Sequence, residues 1–325
     1  MKVFITGSTG FIGTHLVRRL AQDGHELYCL GRKNSKTSQL KDFGAHLITG
    51  DVLDKNSLAE GMKDCDWVIN MASVYSFWEP NKQIYTDVNV IGTRNVMECA
   101  LETGVSKVVN VSSSLIYGKP DDCPFTEESK PGKFRFSEYA RTKYAGDLIA
   151  QELYEKKNLP LVMIYPCAVL GPGDSKATGQ YIKDFINRKL LARVFQNSIT
   201  TFVYVKDVAE VIVKALEKED NIGEKYLVGK YQMSIREFNE MISEISGIPS
   251  PKISLPDSLV MVNASILTLL ADLIKKPPLF GLSTDQAKSM REGWVLDGSK
   301  VERELGVNYT PIRVAVEETI ASYRN

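Results

Sequence analysis

The sequence predicts an α/β protein, with a Rossmann-type doubly wound parallel sheet and a smaller, mainly helical C-terminal lobe. An apolar run at residues 3–5 leads into glycines at positions 7, 10 and 13. Strand-like and helix-like patterns then alternate up to residue 170, which is typical of a parallel sheet covered by helices on both faces. With 325 residues, 43% of them hydrophobic and 25% charged, the chain is long enough for this sheet and an added lobe.

The elements follow in order from these patterns. After the first strand, residues 15–21 predict an amphipathic helix with Leu16, Val17, Leu20 and Ala21 on one face. Residues 202–216 predict a strand and helix that return to the sheet, and the remainder is rich in helical patterns. Further strands are predicted at 26–30, 45–49, 65–70, 107–111 and 161–164, and long helices at 83–103 and 137–157.

The glycines at the first strand end have the spacing of a dinucleotide-binding turn. Gly7 permits a tight turn, Gly10 lets backbone N–H groups approach a pyrophosphate, and Gly13 lets the helix pack closely on the strand. The N-terminus of the helix adds the positive end of its dipole. We expect cofactor contacts from Gly7, Thr9, Gly10, Phe11, Ile12 and Gly13.

The end of the second strand indicates which dinucleotide is bound. Enzymes that use NAD usually place an acid there, on the 2′-hydroxyl of the adenosine ribose, whereas this chain has Arg32 and Lys33. A guanidinium can hold a 2′-phosphate by charge-assisted bonds. The sequence therefore favours NADP, with NAD as the alternative, and a solvated basic turn would explain the same residues without a ligand.

Other strand ends supply the remaining cofactor contacts, because ligands bind beyond the carboxyl ends of parallel strands. We expect Asp51 and Val52 beside the adenine, and Met71, Ala72 and Ser73 along the pyrophosphate and ribose. These assignments predict a cofactor domain of residues 1–170, to which 202–218 return. The substrate-binding lobe is then 171–201 and 219–325.

Tyr139 and Lys143 are four residues apart on one predicted helix and so share a face. A nearby ammonium stabilises a phenolate, and lowering the phenol pKa by about 3 units takes roughly 4 kcal/mol. The phenol would then suit general acid catalysis. A serine hydroxyl after the fifth strand could hold the substrate oxygen. The same spacing also arises by chance as a helix surface pair.

Together these motifs resemble the extended short-chain dehydrogenase/reductases, also called the NAD-dependent epimerase/dehydratase family. Within that family the chain is most similar to the dihydroflavonol-4-reductase-like group and to hopanoid-associated sugar epimerases. The resemblance covers nearly the whole chain and rests on Thr6 with the three glycines, 50–52, Asn89, 111–113, Tyr139 with Lys143, 166–173 and 205–209.

The resemblance implies a catalytic set of Ser113, Tyr139 and Lys143, with Ser114 as the alternative serine. Tyr139 would donate the proton, and Lys143 would also bind the nicotinamide ribose. Pro166 and Val169 would flank the nicotinamide ring.

Two departures favour a reductase over the sugar-modifying members of the family. The dehydratases that this chain resembles carry an Asp-Glu pair just after the hydroxyl of the fifth strand. This chain has Ser114 and Leu115 at those positions. No cation lies at 197–202, where many sugar-nucleotide enzymes place an arginine, although Arg193 could substitute. We therefore expect an NADPH-dependent carbonyl reductase. The alternatives are a sugar-nucleotide epimerase or dehydratase with tightly bound cofactor, and a non-catalytic NADP sensor.

Composition limits the partners. Forty basic and forty acidic residues cancel, so no nucleic-acid partner is expected. The three histidines, at 15, 25 and 46, predict no metal site and are interpreted as surface or turn residues. Five cysteines without paired spacing predict reduced thiols and a cytoplasmic location.

Three further patterns concern the substrate and the surface. The aromatic stretch 74–78, with Tyr117 and Tyr181, predicts an apolar or ring-containing substrate or, equally, packing of the lobe. The apolar stretch 259–274 is too short for a typical span, so no integral membrane segment is expected. It predicts an amphipathic lobe helix, with a lid or a membrane-surface contact as alternatives. The two long helices resemble those through which family members often dimerise, so a homodimer is expected, with a monomer as the alternative.

Overall fold

The computed structural model describes residues 1–35 and 37–324 and has a seven-stranded parallel sheet at its centre. The strand order is β3-β2-β1-β4-β5-β6-β9, so the direction of strand addition reverses between β1 and β4. The sheet strands are β1 (Lys2–Thr6), β2 (Glu26–Gly31), β3 (His46–Thr49), β4 (Trp67–Asn70), β5 (Lys107–Val111), β6 (Leu161–Pro166) and β9 (Lys225–Val228). The doubly wound fold predicted from the sequence is confirmed.

Helices cover both faces of this sheet and build most of the lobe. Between the strands lie α1 (Phe11–Gln22), α2 (Ser38–Asp42), α3 (Lys55–Met62), α4 (Gln83–Thr86), α5 (Thr93–Thr103), α6 (Glu138–Lys157), α7 (Ala177–Ile186) and α8 (Val205–Glu217). A π-helical turn, Asp87–Gly92, joins α4 to α5 in one continuous helix. The remaining helices are α9 (Ile235–Ser246), α10 (Asp257–Ile274), α11 (Thr284–Glu292), α12 (Ser299–Leu305) and α13 (Ile312–Arg324).

The alternation of side chains along β1 divides the core into two layers. Val3 and Ile5 point to the face covered by α1 and α8, whereas Phe4 points to the face covered by α3, α5 and α6. All three side chains are fully buried. This first strand is therefore hydrophobic throughout, as a strand with both faces covered must be.

The predicted return of a strand near 202–205 to the large sheet is wrong. That segment forms β8 (Ile199–Tyr204), which pairs with β7 (Ala168–Leu170) and β10 (Tyr231–Ser234) in a separate three-stranded sheet. Phe202 and Tyr204 are buried against Phe238 and Ile312 of the lobe, which draws the strand away from the large sheet. The helix that follows, α8, does pack on α1 as expected. The predicted domain boundaries stay a prediction.

Candidate active site

A cavity of 1260 Å³ runs from the turn between β1 and α1 across the carboxyl ends of the strands into the lobe. This is the crevice where the strand order reverses, the usual position for a ligand in such a sheet. Most of the site residues predicted from the sequence line it. They are Gly7, Thr9, Gly10, Phe11, Ile12, Gly13, Met71, Ser73, Ser113, Tyr139, Lys143, Pro166 and Val169.

The glycine turn has the geometry that the sequence predicts. Gly7 has a φ of +71°, and a β-carbon there would lie 2.6 Å from the carbonyl carbon of Met71. A β-carbon on Gly13 would lie 2.3 Å from the carbonyl oxygen of Gly7. Gly10 closes the turn by donating its N–H to that oxygen at 3.0 Å. The glycines leave a cradle before the N-terminus of α1, a position suited to a pyrophosphate, so the residues present fit a dinucleotide cofactor.

The cations expected at the adenosine end lie outside the cavity lining. Arg32 and Lys33 are exposed just beyond β2. The lining instead includes Arg18 of α1, which sequence analysis did not select. Its guanidinium carbon lies 5.5 Å from the centre of the Phe43 ring. Contact of Arg32 and Lys33 with the cofactor stays a prediction.

Three other expected cofactor contacts have local structural roles and do not line the cavity. The Asp51 carboxylate accepts the N–H of Leu53 at 3.0 Å. Val52 is buried against Gly92 at the π turn. Ala72 donates its N–H to the Thr6 hydroxyl at 3.1 Å. Their assignment to the adenine, pyrophosphate and ribose stays a prediction.

Tyr139 is buried at the centre of the cavity, with 6% of its surface exposed. The hydroxyls of Ser113 and Ser73 lie within hydrogen-bonding reach of its phenol. Burial raises the pKa of Tyr139 to about 12, and the proximity of those two hydroxyls opposes the rise. The Ser113 hydroxyl and the Tyr139 phenol thus share the cavity lining.

The expected lowering of the Tyr139 pKa by Lys143 is not present in this structure. The Lys143 ammonium donates to the carbonyl oxygen of Val111 at 3.0 Å. Burial lowers the pKa of Lys143 itself, partly offset by the charge of Asp147. Since desolvation is the largest cause for both groups, it outweighs any attraction between them.

Helix α6 is fixed where it carries Tyr139 and Lys143. Ser137 caps its first turn by accepting the N–H of Ala140 at 3.1 Å. Gly146 lets the π turn approach, since a β-carbon there would lie 2.3 Å from the Asn89 carbonyl oxygen. The two active-site side chains are therefore held on a helix whose start and middle are both restrained.

Asn89, on the π turn, joins three segments around the cavity. Its side-chain oxygen accepts the Ser73 hydroxyl at 3.1 Å and the Val74 N–H at 2.9 Å. Its amide nitrogen donates to the Thr142 hydroxyl at 3.1 Å. π turns are often found at functional sites, and this one holds the Ser73 backbone against the helix of Tyr139.

A buried chain of polar side chains runs beneath the site. Thr6 donates to Asn70 at 2.7 Å, and Asn70 donates to Asn110 at 2.9 Å. Asn110 approaches Asp147 at 3.4 Å, and the Ser112 hydroxyl donates to the same carboxylate at 2.6 Å. Sequence analysis missed Asp147, Asn70 and Asn110, although single polar residues in otherwise apolar strands were the available signal.

The Asp147 carboxyl should make stability depend on pH. Burial raises its pKa from 3.8 to about 6. Between about pH 4 and pH 6 the folded protein then holds a proton that the unfolded chain has lost. Stability therefore falls as pH rises through this window, by up to roughly 3 kcal/mol.

The variant Asp147→Asn has no carboxyl to titrate, so its free energy of unfolding is expected to change less between about pH 4 and pH 6. Urea unfolding across this range measures the difference. Asp121→Asn, at an exposed carboxylate between β5 and α6, is the matched control and should keep the wild-type slope. Equal slopes for wild type and Asp147→Asn would contradict the assignment.

The substrate end of the cavity is aromatic and apolar. Tyr75 and Phe77 line it, and the Tyr75 ring centre lies 5.1 Å from that of Tyr139. Tyr181 also lines the cavity, as expected. The lobe adds residues that sequence analysis did not select, namely Phe202, Ile235, Phe238, Met290 and Trp294, with Gln286 and Ser289 as polar groups among them.

Two of the predicted aromatic residues serve packing and lie outside the lining. Tyr117 is buried, with its ring centre 5.0 Å from Phe125 and 5.6 Å from Tyr165. Trp78 points away from the cavity and donates its indole N–H to Asp272 of α10 at 2.9 Å. For these two residues the alternative interpretation, packing of the lobe, is the better one.

Few cations are available to a substrate. Arg193 donates to the Lys252 carbonyl oxygen at 3.3 Å and does not line the cavity. Across residues 1–35 and 37–324, the lysines and arginines that do are Arg18, Lys143 and Lys176. Lys176 donates to the Tyr75 carbonyl oxygen at 3.0 Å. Such a lining suits a substrate without a diphosphate.

The histidines are only partly as predicted. His15 lines the cavity, donates its Nε2–H to the Pro172 carbonyl oxygen at 2.9 Å, and has its pKa lowered by burial. It is therefore a half-buried residue of the cavity lining rather than a surface or turn residue. His25 belongs, with Asp23 and Glu217, to the one cluster of metal-ligand type among the described residues. That cluster lies outside the cavity lining.

Comparison with known proteins shows the family to which the chain is similar. A model described as the NAD dependent epimerase/dehydratase family matches residues 3–229. A Synechocystis sp. protein named as a dihydroflavonol 4-reductase is 28% identical over 330 residues, covering 99% of this chain and 94% of the relative. Sterol demethylase protein B of Methylococcus capsulatus is also 28% identical, over 335 residues that cover 100% of this chain and 98% of the relative.

Solved structures agree on the architecture. The crystal structure of the protein called gox2253 superposes with a TM-score of 0.85 at 31% identity, over 99% of this chain and 97% of that one. A UDP-glucuronic acid 4-epimerase from Bacillus cereus, in complex with NAD, gives a TM-score of 0.80 at 23% identity, over 100% and 96% of the two chains. At that identity the second similarity supports the fold alone.

Proposed function

Because this chain belongs to the NAD-dependent epimerase/dehydratase family, we propose that it is an NADP(H)-dependent oxidoreductase that reduces a ketone or an aldehyde. One observation carries the proposal. The glycine cradle, the Ser113–Tyr139–Lys143 group and an aromatic lobe lining share a single cavity, whose lining holds few cations. A carbonyl compound without phosphate groups fits that lining better than a sugar nucleotide does.

Each residue has a defined task in this reaction. The glycine cradle would hold the nicotinamide cofactor, with Pro166 and Val169 flanking its ring. The bound cofactor would supply the hydride that the carbonyl carbon receives. The Tyr139 phenol donates its proton to the carbonyl oxygen, and the Ser113 hydroxyl holds that oxygen in place. Lys143 carries the charge that stabilises the resulting phenolate. Burial of Tyr139 keeps bulk water from this proton.

The substrate is proposed to be apolar and ring-containing. Tyr75, Phe77 and Phe238 present flat apolar surfaces, which favour stacking against a ring system. The names of the two curated relatives refer to a dihydroflavonol and to a sterol. Both are ring-containing compounds, as proposed for the substrate of this chain. The class of compound, rather than one compound, is what this lining supports.

The reaction is tested with the purified chain, NADPH and a panel of aromatic and alicyclic ketones and aldehydes. Consumption of NADPH, followed by absorbance, is expected with at least one ring-containing carbonyl, together with formation of the alcohol. Sugar nucleotides form the second arm. Turnover of a sugar nucleotide, with no NADPH consumed by any carbonyl, would refute the proposal.

A sugar-nucleotide epimerase remains the second candidate, because the matching family model covers epimerases and dehydratases. An epimerase regenerates its cofactor within each turnover and can therefore keep it tightly bound. It predicts that the chain purified without added cofactor carries nicotinamide. A reductase exchanges its cofactor at each turnover and should purify largely without it.

The NADP preference is proposed to depend on Arg32 and Lys33. In the double variant Arg32→Ser/Lys33→Ser, affinity for NADP should fall by roughly ten- to a hundredfold, because charge-assisted bonds to the 2′-phosphate are lost. Affinity for NAD should stay within about twofold. Titration of each cofactor by fluorescence measures both.

Lys63→Ser, at an exposed lysine after α3, is the control and should leave both affinities unchanged. Equal affinity of the wild-type chain for NAD and NADP would contradict the preference. A double variant with unchanged affinity for NADP would instead exclude these two residues as the cause of the preference, and Arg18 on the cavity lining would be the next cation to replace.

A further inference from the structure

Helix α10 presents a large apolar surface to solvent. Within the part of the chain that the structure describes, it is the one helix long and apolar enough to cross a membrane by length and composition, and only 17% of it is buried. Single exposed apolar residues are common, but a contiguous apolar patch marks an interaction surface. Seven side chains between 46% and 78% exposed form it, namely Leu259, Val262, Ile266, Leu269, Leu270, Leu273 and Ile274.

The opposite side of α10 is fixed to the lobe. Val260, Ala264 and Ala271 are buried, and the Thr268 hydroxyl bonds with that of Thr284 on α11 at 3.0 Å. Asp272 is held by the indole of Trp78 at 2.9 Å. A helix attached along its whole length in this way lies on a surface and does not cross a bilayer.

The charges around the apolar surface are mainly positive. Between Ser258 and Ile274 the one charged side chain is Asp272, which faces inward to Trp78 and Lys82. Exposed lysines flank the helix, with Lys252 before it and Lys275 and Lys276 after it, while Asp257 is the single acid at its start.

The apolar surface continues past the helix. Leu279 and Phe280, 66% and 75% exposed, follow the two lysines after Pro277 and Pro278. Apolar side chains flanked by lysines match the boundary of an anionic bilayer, where the apolar groups enter the acyl region and the lysines meet phosphate groups. A second copy of the same surface would bring its lysines against like charges, so lipid is the better occupant.

We propose that the exposed face of α10, with Lys275, Lys276, Leu279 and Phe280, binds the surface of an anionic phospholipid membrane. The inner side of this helix packs on α11, which contributes Gln286, Ser289 and Met290 to the cavity. Membrane binding therefore places the substrate end of the cavity beside the lipid. The surface proposal stands on the exposed side chains and charges and does not depend on the proposed reaction.

Co-sedimentation of the full chain with vesicles tests the proposal. The wild type is expected to pellet with vesicles of phosphatidylcholine and phosphatidylglycerol in equal amounts, and more weakly with phosphatidylcholine alone. The double variant Leu269→Glu/Leu273→Glu should lose binding by roughly tenfold or more per substitution. Each substitution removes a leucine that is exposed in the free protein and would be buried in the lipid. The variant Ile222→Glu, at an exposed position between α8 and β9, should bind as the wild type does.

A second variant protects the test against a folding defect. Lys275→Gln/Lys276→Gln alters only exposed side chains and should weaken binding to the anionic vesicles by roughly fivefold per lysine, with little change on phosphatidylcholine alone. Thermal unfolding and gel filtration accompany each variant. Wild type that stays in the supernatant with anionic vesicles would overturn the proposal. A wild-type dimer that Leu269→Glu/Leu273→Glu converts to a monomer, without vesicle binding, would overturn it in favour of self-association.

Discussion

Replacing Tyr139 by Phe is expected to lower kcat/KM for carbonyl reduction by roughly 10² to 10⁴, the usual range for loss of a positioned general acid. The substitution removes one oxygen from a buried ring whose environment is otherwise unchanged, so the fold should persist. KM and the affinity for NADPH should change little, because the hydroxyl acts on the reacting oxygen. Steady-state kinetics with NADPH and the best carbonyl from the panel measure the effect.

Tyr144→Phe is the matched control for this prediction. Tyr144 is on the same helix, next to Lys143, but its ring lies against the Arg135 guanidinium, 4.1 Å from ring centre to guanidinium carbon, and outside the cavity lining. Its kcat/KM should stay within about twofold of the wild type. If Tyr139→Phe also kept near wild-type activity, another group would have to deliver the proton.

Replacing Gly7 by Ala should have the largest effect on the protein as a whole. The backbone of Gly7 has a φ of +71°, and its added β-carbon would meet backbone atoms of Met71 and Ala72 at 2.6 to 2.8 Å. Strained φ alone costs about 1–3 kcal/mol, and a clash with backbone adds to it because neither strand can move freely. We expect the free energy of unfolding to fall by more than roughly 2 kcal/mol and cofactor binding to become undetectable.

Gly10→Ala separates the two roles of the turn. Its β-carbon would meet only the Gly7 carbonyl oxygen, at 3.1 Å, and its φ is not in the left-handed region. Stability should therefore fall less than in Gly7→Ala, whereas cofactor affinity falls because the methyl group enters the cradle. Urea unfolding and cofactor titration give the two readouts. A Gly7→Ala protein with the wild-type unfolding midpoint would show that the turn is less constrained than its contacts indicate.

The residues that could be predicted are those whose role depends on the nearby backbone. The spacing of Gly7, Gly10 and Gly13 and the helical spacing of Tyr139 and Lys143 are properties of one turn and one helix. Both motifs line the cavity as expected. The fold followed in the same way, from the alternation of short apolar strands such as β1 with helical patterns.

The rest depended on contacts between distant segments. No local pattern indicates that Phe202 and Tyr204 belong to the lobe core, or that β8 pairs with β7 and β10 rather than with the large sheet. The direction of the Tyr139 pKa shift likewise depends on how completely several segments bury the phenol, and a sequence does not give that burial. Asp147 was missed because its partners, Asn110 and Ser112, are 37 and 35 residues away.

The π turn at Asp87–Gly92 also makes the site sensitive to the length of the helix that contains it. A π turn holds one residue more than an α-helical turn, so deleting one residue there would let α4 and α5 join as a regular α-helix. Each residue turns the helix by about 100°, and Asn89 would then face away from Ser73 and Thr142. Insertions and deletions elsewhere on the protein surface change only loop lengths. Here deletion of a single residue would break the contact that Asn89 makes between the segment after β4 and α6.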